Sequence, residues 1–144
     1  MKVILSFCIA FASTFHAAAQ TGFFLIVEKG FCEHPTMSLD GTQKYCIPEE
    51  PIIKELEFKT EGNLENDAST HSQFFNLRFS KSGFETLKVI YERMPEKKLV
   101  FVVNGKAVGT YDSKNLRPAQ VIQISGKPDS KEISWIFENL KKKN

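Results

Sequence analysis

The chain has 144 residues, and its 19 basic and 17 acidic side chains leave a formal net charge of +2. This near-neutral balance excludes the strongly basic surface with which proteins bind the phosphates of nucleic acids. The sequence contains neither a Gly-rich phosphate-binding fingerprint nor a G-x-S-x-G nucleophile motif, so it indicates no common class of enzyme.

Residues 1–19 have the three parts of a secretory signal peptide: a positively charged start, an apolar run over residues 3–15, and small residues at the end. Ala17 and Ala19 occupy the −3 and −1 positions if signal peptidase cleaves before Gln20. The apolar run is shorter than the roughly 20 residues that span a bilayer, which favours a cleaved signal over a membrane anchor. We therefore expect a periplasmic or extracellular protein whose mature chain has no membrane span.

Residues 20–73 are predicted to form lead-in strands. β-prone runs at residues 23–27, 45–47 and 52–58 indicate strands. Residues 60–72 are rich in Gly, Asn, Asp, Ser and Thr, which predicts a loop or a boundary between subregions.

Cys32 and Cys46 lie within this lead-in region. An even pair of cysteines in an exported chain usually forms a disulfide, and the Asp40-Gly41 turn between them lets the chain return. The alternative is a metal site made of Cys32, His34 and Cys46, but three ligands at this spacing match no tight zinc pattern. The sequence favours the disulfide and predicts no cofactor.

From residue 74 the pattern becomes sharper. Phe75, Leu77 and Phe79 alternate with a second set, Phe74, Asn76 and Arg78, which predicts a strand with one buried face. A helix follows, because apolar residues recur at helical spacing until Pro95. Its apolar residues are Phe84, Leu87, Ile90, Tyr91 and Met94. Ser80 or a Ser82–Glu85 capping box is expected to begin this helix.

The last third of the chain predicts a hairpin, a strand and a second helix. Asn104-Gly105 between the β-prone runs 99–103 and 106–108 is a strong hairpin signal, because both residues accept a positive φ. Residues 121–125 alternate as a strand, and an Asp129–Glu132 capping box is expected to begin a helix. The apolar face of that helix comprises Ile133, Ile136, Phe137 and Leu140. The predicted fold is α+β: a mostly antiparallel sheet with two helices packed on one face, and residues 20–144 in one domain.

The core at residues 74–144 resembles the periplasmic head domain of SecDF, the membrane-integrated accessory of the bacterial protein-export translocon. Residues 75–84, FNLRFSKSGF, are similar to that family's strand and Gly-containing helix start, and residues 99–108, LVFVVNGKAV, to its hairpin. VIQISG at residues 121–126 resembles its QI(S/T)G strand, and residues 129–140 its terminal helix. The resemblance covers residues 74–140 and, less specifically, 23–58.

The chain also departs from this family. Asn104 replaces the hairpin aspartate, no proline follows the hairpin at residues 109–112, and Arg117-Pro118 stands where a glycine pair is common. SecDF proteins carry transmembrane helices that couple proton flow to export, and no second segment here is long and apolar enough to be one. The resemblance therefore implies the fold and a capacity to bind exported chains, but not the motor.

Two functions remain open. The first is a non-enzymatic exported binding module that holds a protein or extended peptide at a sheet edge or an apolar groove. Its candidate binding face comprises Phe74, Asn76 and Arg78. The second is a small periplasmic hydrolase or metal-binding protein that uses His34, His71 and nearby carboxylates. We favour the first, because neither histidine stands in a recognisable catalytic motif.

The signal-peptide interpretation predicts a defined processing event. Expressed in an exporting host, the protein should begin at Gln20, and an Ala19→Arg variant should remain unprocessed because a bulky charged side chain does not fit the −1 pocket. Intact-mass spectrometry measures both, with Gln20→Thr as the control that should still be cleaved. Full-length protein recovered from the parent sequence would contradict the interpretation.

Overall fold

The computed structural model describes residues 20–143. The predicted signal segment, with Ala17 and Ala19, lies outside the described residues, and Gln20 is the first residue inside them. The described part is an α+β fold in which all pairs of named strands are antiparallel, so the predicted fold class is confirmed at this level.

In chain order the strands are β1 (Gly22–Leu25), β2 (His34–Met37), β3 (Lys44–Ile47), β4 (Ile53–Lys54), β5 (Phe58–Asp67), β6 (Ser72–Phe79), β7 (Lys98–Val103), β8 (Lys106–Asp112) and β9 (Val121–Ser125). The helices are α1 (Lys81–Arg93) and α2 (Glu132–Lys141), and short 3-10 helices occupy Glu55–Glu57 and Ser113–Asn115. The strands form a four-stranded sheet in the order β4-β1-β7-β8, a three-stranded sheet in the order β5-β6-β9, and the β2–β3 hairpin.

The centre of the four-stranded sheet is buried on both faces. On one face Phe23 stacks on Phe101 with ring centroids 4.4 Å apart, inside the larger of two apolar clusters. On the other face Phe24 and Val102 pack with Ile47 in a smaller cluster that the β2–β3 hairpin covers. Continuous apolar runs at 23–25 and 99–103 fit this position, because a strand covered on both sides needs apolar residues in both registers.

The larger cluster joins both predicted subregions. It takes Phe23, Ile53 and Phe58 from the lead-in region and residues of β6, β7, β9 and both helices from the rest of the chain. Both helices thus contribute to one core, with Leu87 and Ile90 from α1. The strands are divided between separate sheets, and the packing of both helices on one face of a single sheet stays a prediction.

The expected loop at residues 60–72 is wrong. Most of it is β5, which pairs with β6 from Phe58 to Asp67 and leaves only residues 68–71 as a turn. The polar composition of this segment gave no sign of a strand, since its residues have weak intrinsic β propensity. Pairing with β6 outweighs that weak propensity. An irregularity between Glu61 and Glu65, with Gly62 at φ +75°, adds residues that break any alternation.

Two further boundaries differ from the prediction. Residues 34–37 form β2, a strand that the sequence did not predict, and Pro35 is tolerated there because β2 pairs with β3 on one side only. The strand expected at 52–58 is reduced to β4 and then becomes a 3-10 helix.

The helix starts differ in part from the predicted caps. Ser80 caps α1, since its hydroxyl accepts a hydrogen bond from the Gly83 N–H at 3.2 Å, while the Ser82 hydroxyl donates to Glu57 instead. The Asp129–Glu132 capping box is wrong, because α2 begins after Lys131. The Asn104-Gly105 hairpin is confirmed, with φ values of 48° and 75°.

The Cys32–Cys46 disulfide is confirmed. It joins the loop before β2 to β3, with the two Cα atoms 5.5 Å apart. None of the helices within residues 20–143 has the length and apolar character needed to cross a bilayer.

Gly83 is a position where the fold has no room for a side chain. A Cβ there would lie 2.5 Å from the carbonyl oxygen of Glu57, and that carbonyl is held by the Ser80 N–H at 2.8 Å. Gly83→Ala should therefore lower the free energy of unfolding by about 1–3 kcal/mol, although alanine favours helices. Denaturant titration measures the change, with exposed Lys88→Ala in the same helix as the control. Equal stabilities for the two variants would contradict the close packing of α1 on the 3-10 helix.

The disulfide should stabilise the domain through its closed loop. The two cysteines are 14 residues apart. Closing a loop of about 15 residues is worth roughly 3 kcal/mol in the chain-entropy account. The Cys32→Ser/Cys46→Ser variant should lose about this amount in denaturant titration, and reductant should destabilise the parent but not the variant. If reductant left the free energy of unfolding of the parent unchanged, the prediction would be wrong.

Candidate functional site

The predicted binding face lies on the three-stranded sheet, on the side opposite the buried Phe75, Leu77 and Phe79. Its three residues are half-buried. Cross-strand partners of an antiparallel ladder share a face, so each belongs to a row of three. The rows are Glu65, Phe74 and Ser125; Glu61, Asn76 and Gln123; and Lys59, Arg78 and Val121.

Arg78 is held in place on this face by Glu61. Its Nε donates to Glu61 Oε1 at 2.7 Å, and Nη2 lies 2.6 Å from the same oxygen. The side chains remain 41% and 38% exposed, so water screens the pair and its contribution to stability is small. The pair instead fixes the orientation of the guanidinium, which leaves Phe74 and Val121 as the apolar residues of a mixed-charge face.

The outer edge of β9 presents unpaired backbone groups. The Phe79 N–H donates to the Gln120 carbonyl at 2.8 Å, and the Gly126 N–H donates to the Gln73 carbonyl at 3.0 Å. Within residues 120–126 the even-numbered residues therefore form backbone hydrogen bonds with β6. The odd-numbered residues 121, 123 and 125 direct their N–H and C=O groups away from β6. Among the described residues no strand pairs with that side of β9.

The other two long edge strands, β5 and β8, are protected against pairing with a further strand. β5 carries charged side chains at Lys59, Glu61 and Glu65, together with its irregular register, and both features discourage another strand from pairing. β8 is partly covered, since the Leu39 N–H donates to the Ala107 carbonyl at 3.0 Å. β9, with the sequence VIQIS, has no charge, proline or bulge.

A cleft of about 700 Å³ adjoins the same face at the start of β5. Its lining residues are Glu55, Leu56, Phe58, Lys59, Arg78, Phe79, Ser80 and Lys143. Leu56 stands at its rim with 95% of its surface exposed. Lys143 Nζ lies 3.2 Å from Glu55 Oε1, but the contact lacks hydrogen-bond alignment and leaves that oxygen without a hydrogen-bond partner within residues 20–143.

The two histidines do not share a cleft in the described part of the chain. His34 is exposed on β2, opposite Ile47. His71 is exposed in the β5–β6 turn at φ 54° and borders a polar groove of about 400 Å³ at the start of α2. The carboxylate in that groove is Asp129, whose N–H donates to the His71 carbonyl at 2.9 Å.

The two carboxylates with shifted pKa values, Asp40 and Asp67, accept hydrogen bonds that stabilise turns. A hydrogen bond from the Ser38 hydroxyl, helped by the N–H and hydroxyl of Thr42, lowers the pKa of Asp40 to about 2. The Ser69 hydroxyl and N–H likewise lower the pKa of Asp67. Both groups stay ionised at neutral pH and act as acceptors that order loops rather than as proton donors.

Tyr111 owes its shifted pKa to packing. Burial raises the pKa of Tyr111 to about 12, and its ring lies 6.2 Å from that of Phe23. The phenol therefore stays protonated at neutral pH and fills the margin of the larger core.

No group of three or more metal-ligating side chains is assembled within residues 20–143. Both sulfurs of the alternative metal site at Cys32, His34 and Cys46 are taken by the disulfide, so no thiolate is left to bind a metal.

The alternation in the sequence predicted that Phe74, Asn76 and Arg78 share the outer face of β6, but it did not indicate that β9 is an edge strand. Strand order decides which strand is an edge, and strand order is not visible in the alternation of a single segment.

No family model, curated protein or solved structure matches the chain.

Proposed function

We propose that this chain is a non-enzymatic exported binding module that holds extended polypeptide by strand addition to β9. The open, uncharged edge of β9 is the observation that carries the proposal. An incoming strand gains backbone hydrogen bonds there, and such bonds supply affinity with little dependence on sequence. A binder of exported chains needs this property, because its clients differ in side chains and share only their backbone.

The side chains around β9 define which strands fit best. Ile122 and Ile124 point to the core side, and Val121, Gln123 and Ser125 point to the outer face beside Phe74. A client with alternating apolar and polar residues matches both sides, since successive side chains of a strand face opposite ways. Phe74 and the oriented Arg78 stand one strand further in, on β6, where only long outer side chains of a paired client would reach them.

The resemblance to the SecDF head domain supports the same proposal at the level of fold. The order of elements from residue 74 separately gives the expectation that α1 and α2 lie together on one face, which would leave the other face free. The disulfide supports export, because such bonds persist in oxidising compartments. The alternative hydrolase would need His34 and His71 in one cleft, and they border different surfaces.

A proline substitution at Gln123 tests strand addition. Gln123→Pro removes an N–H that faces away from β6, so it should spare the ladder while blocking the incoming strand. The dissociation constant for a labelled ten-residue peptide of alternating valine and threonine should rise about tenfold or more, the equivalent of one or two hydrogen bonds. Fluorescence anisotropy measures it, and Gln123→Thr, which keeps the N–H, is the matched control.

A second set of peptides keeps the protein unchanged in case the proline variant misfolds. N-methylation of the client amides that face β9 should abolish binding, whereas N-methylation of the alternate amides should not. Equal binding of the two methylated peptides would rule out backbone pairing as the mode of recognition.

A further inference from the structure

The β9 edge is complementary to itself. A two-fold axis through Gln123 sets Val121 of one copy opposite Ser125 of a second copy and Gln123 opposite its equivalent. Each of these positions has its backbone N–H and C=O directed outward, so each opposed pair exchanges two hydrogen bonds in an antiparallel ladder. If the axis moved by half a residue spacing, residues whose N–H and C=O groups face the open edge would lie opposite residues whose groups face β6. The hydrogen bonds between the two copies would then be lost.

The side chains of β9 also favour the register that is centred on Gln123. On the core side Ile122 lies opposite Ile124 of the second copy, which extends the apolar surface of both and covers the half-buried Ile122. On the outer face the opposed side chains are uncharged. The equivalent self-pairing of β5 would require two charged and irregular edges to meet, which is unfavourable.

From this geometry we infer that a second copy of the chain is a partner of β9, in a symmetric antiparallel dimer centred on Gln123. The inference rests on the proposed function, since it names one partner for the same edge. Self-pairing then competes with clients, and an exposed edge is covered while no client is present. Pairing through a five-residue strand forms a small interface, so the dimer is weak and reversible.

Charge exchange at Gln123 tests the dimer. Gln123 is exposed and lies opposite itself, so Gln123→Arg and Gln123→Glu each place like charges together and should raise the dimer dissociation constant about tenfold or more. An equimolar mixture of the two variants should restore dimerisation, an effect that a general loss of structure cannot produce. Sedimentation equilibrium of the exported protein over a wide concentration range measures all three samples. Lys88→Glu, which also changes an exposed charge, should leave the dimer unchanged.

The outcomes separate this inference from the proposed function. A parent that stays monomeric at all concentrations, or variants that dimerise as the parent does, would overturn the second-copy inference. Peptide binding is measured independently at concentrations where the parent is monomeric. Monomers that bind the peptide contradict only the dimer, whereas dimers that bind no peptide contradict only the proposed function.

Discussion

The pairing of β1 with β7 is the constraint on which the other elements depend. Both strands are buried on both faces, so each face needs its own cover, and burying one large apolar side chain contributes about 1.5–3 kcal/mol. The larger cluster, on the face of Phe23 and Phe101, includes residues of the three-stranded sheet and of both helices. The β2–β3 hairpin covers the face of Phe24 and Val102. The covering elements turn apolar side chains toward the four-stranded sheet, and the binding that we propose uses their outer sides and edges.

The edge of β9 follows from the same arrangement. The three-stranded sheet packs on the aromatic cluster, where Phe58 and Phe79 meet Phe23, and among residues 20–143 no further strand pairs with β9 at its edge. Exposed edges normally carry charges or bulges that prevent pairing, as β5 does. β9 keeps both its hydrogen-bonding groups and an uncharged sequence, and this difference between two edges of one sheet is the basis for assigning a role to β9.

Local patterns predicted the elements whose signals are contained within a few residues. The alternation around Phe75 and the Asn104-Gly105 turn gave β6 and the β7–β8 hairpin correctly, because facing and turn geometry depend on adjacent residues. β5 was missed, since its polar residues are held as a strand by their neighbour in β6. The histidine hypothesis and the β9 edge both depended on which segments meet in space, and the local pattern of a single sequence does not contain that information.

The disulfide makes the full stability of the fold depend on where the chain resides. The disulfide closes the β2–β3 hairpin on itself, because it joins Cys32 before β2 to Cys46 on β3, one residue before the buried Ile47. With the thiols reduced, the hairpin still packs on the sheet and keeps two backbone hydrogen bonds to it, from the Val27 N–H to the Cys46 carbonyl at 2.8 Å and from the Leu39 N–H to the Ala107 carbonyl at 3.0 Å. Oxidation therefore adds a cross-link to a cover that already packs on the sheet, and the face of Phe24 and Val102 gains its full stability only where the thiols are oxidised.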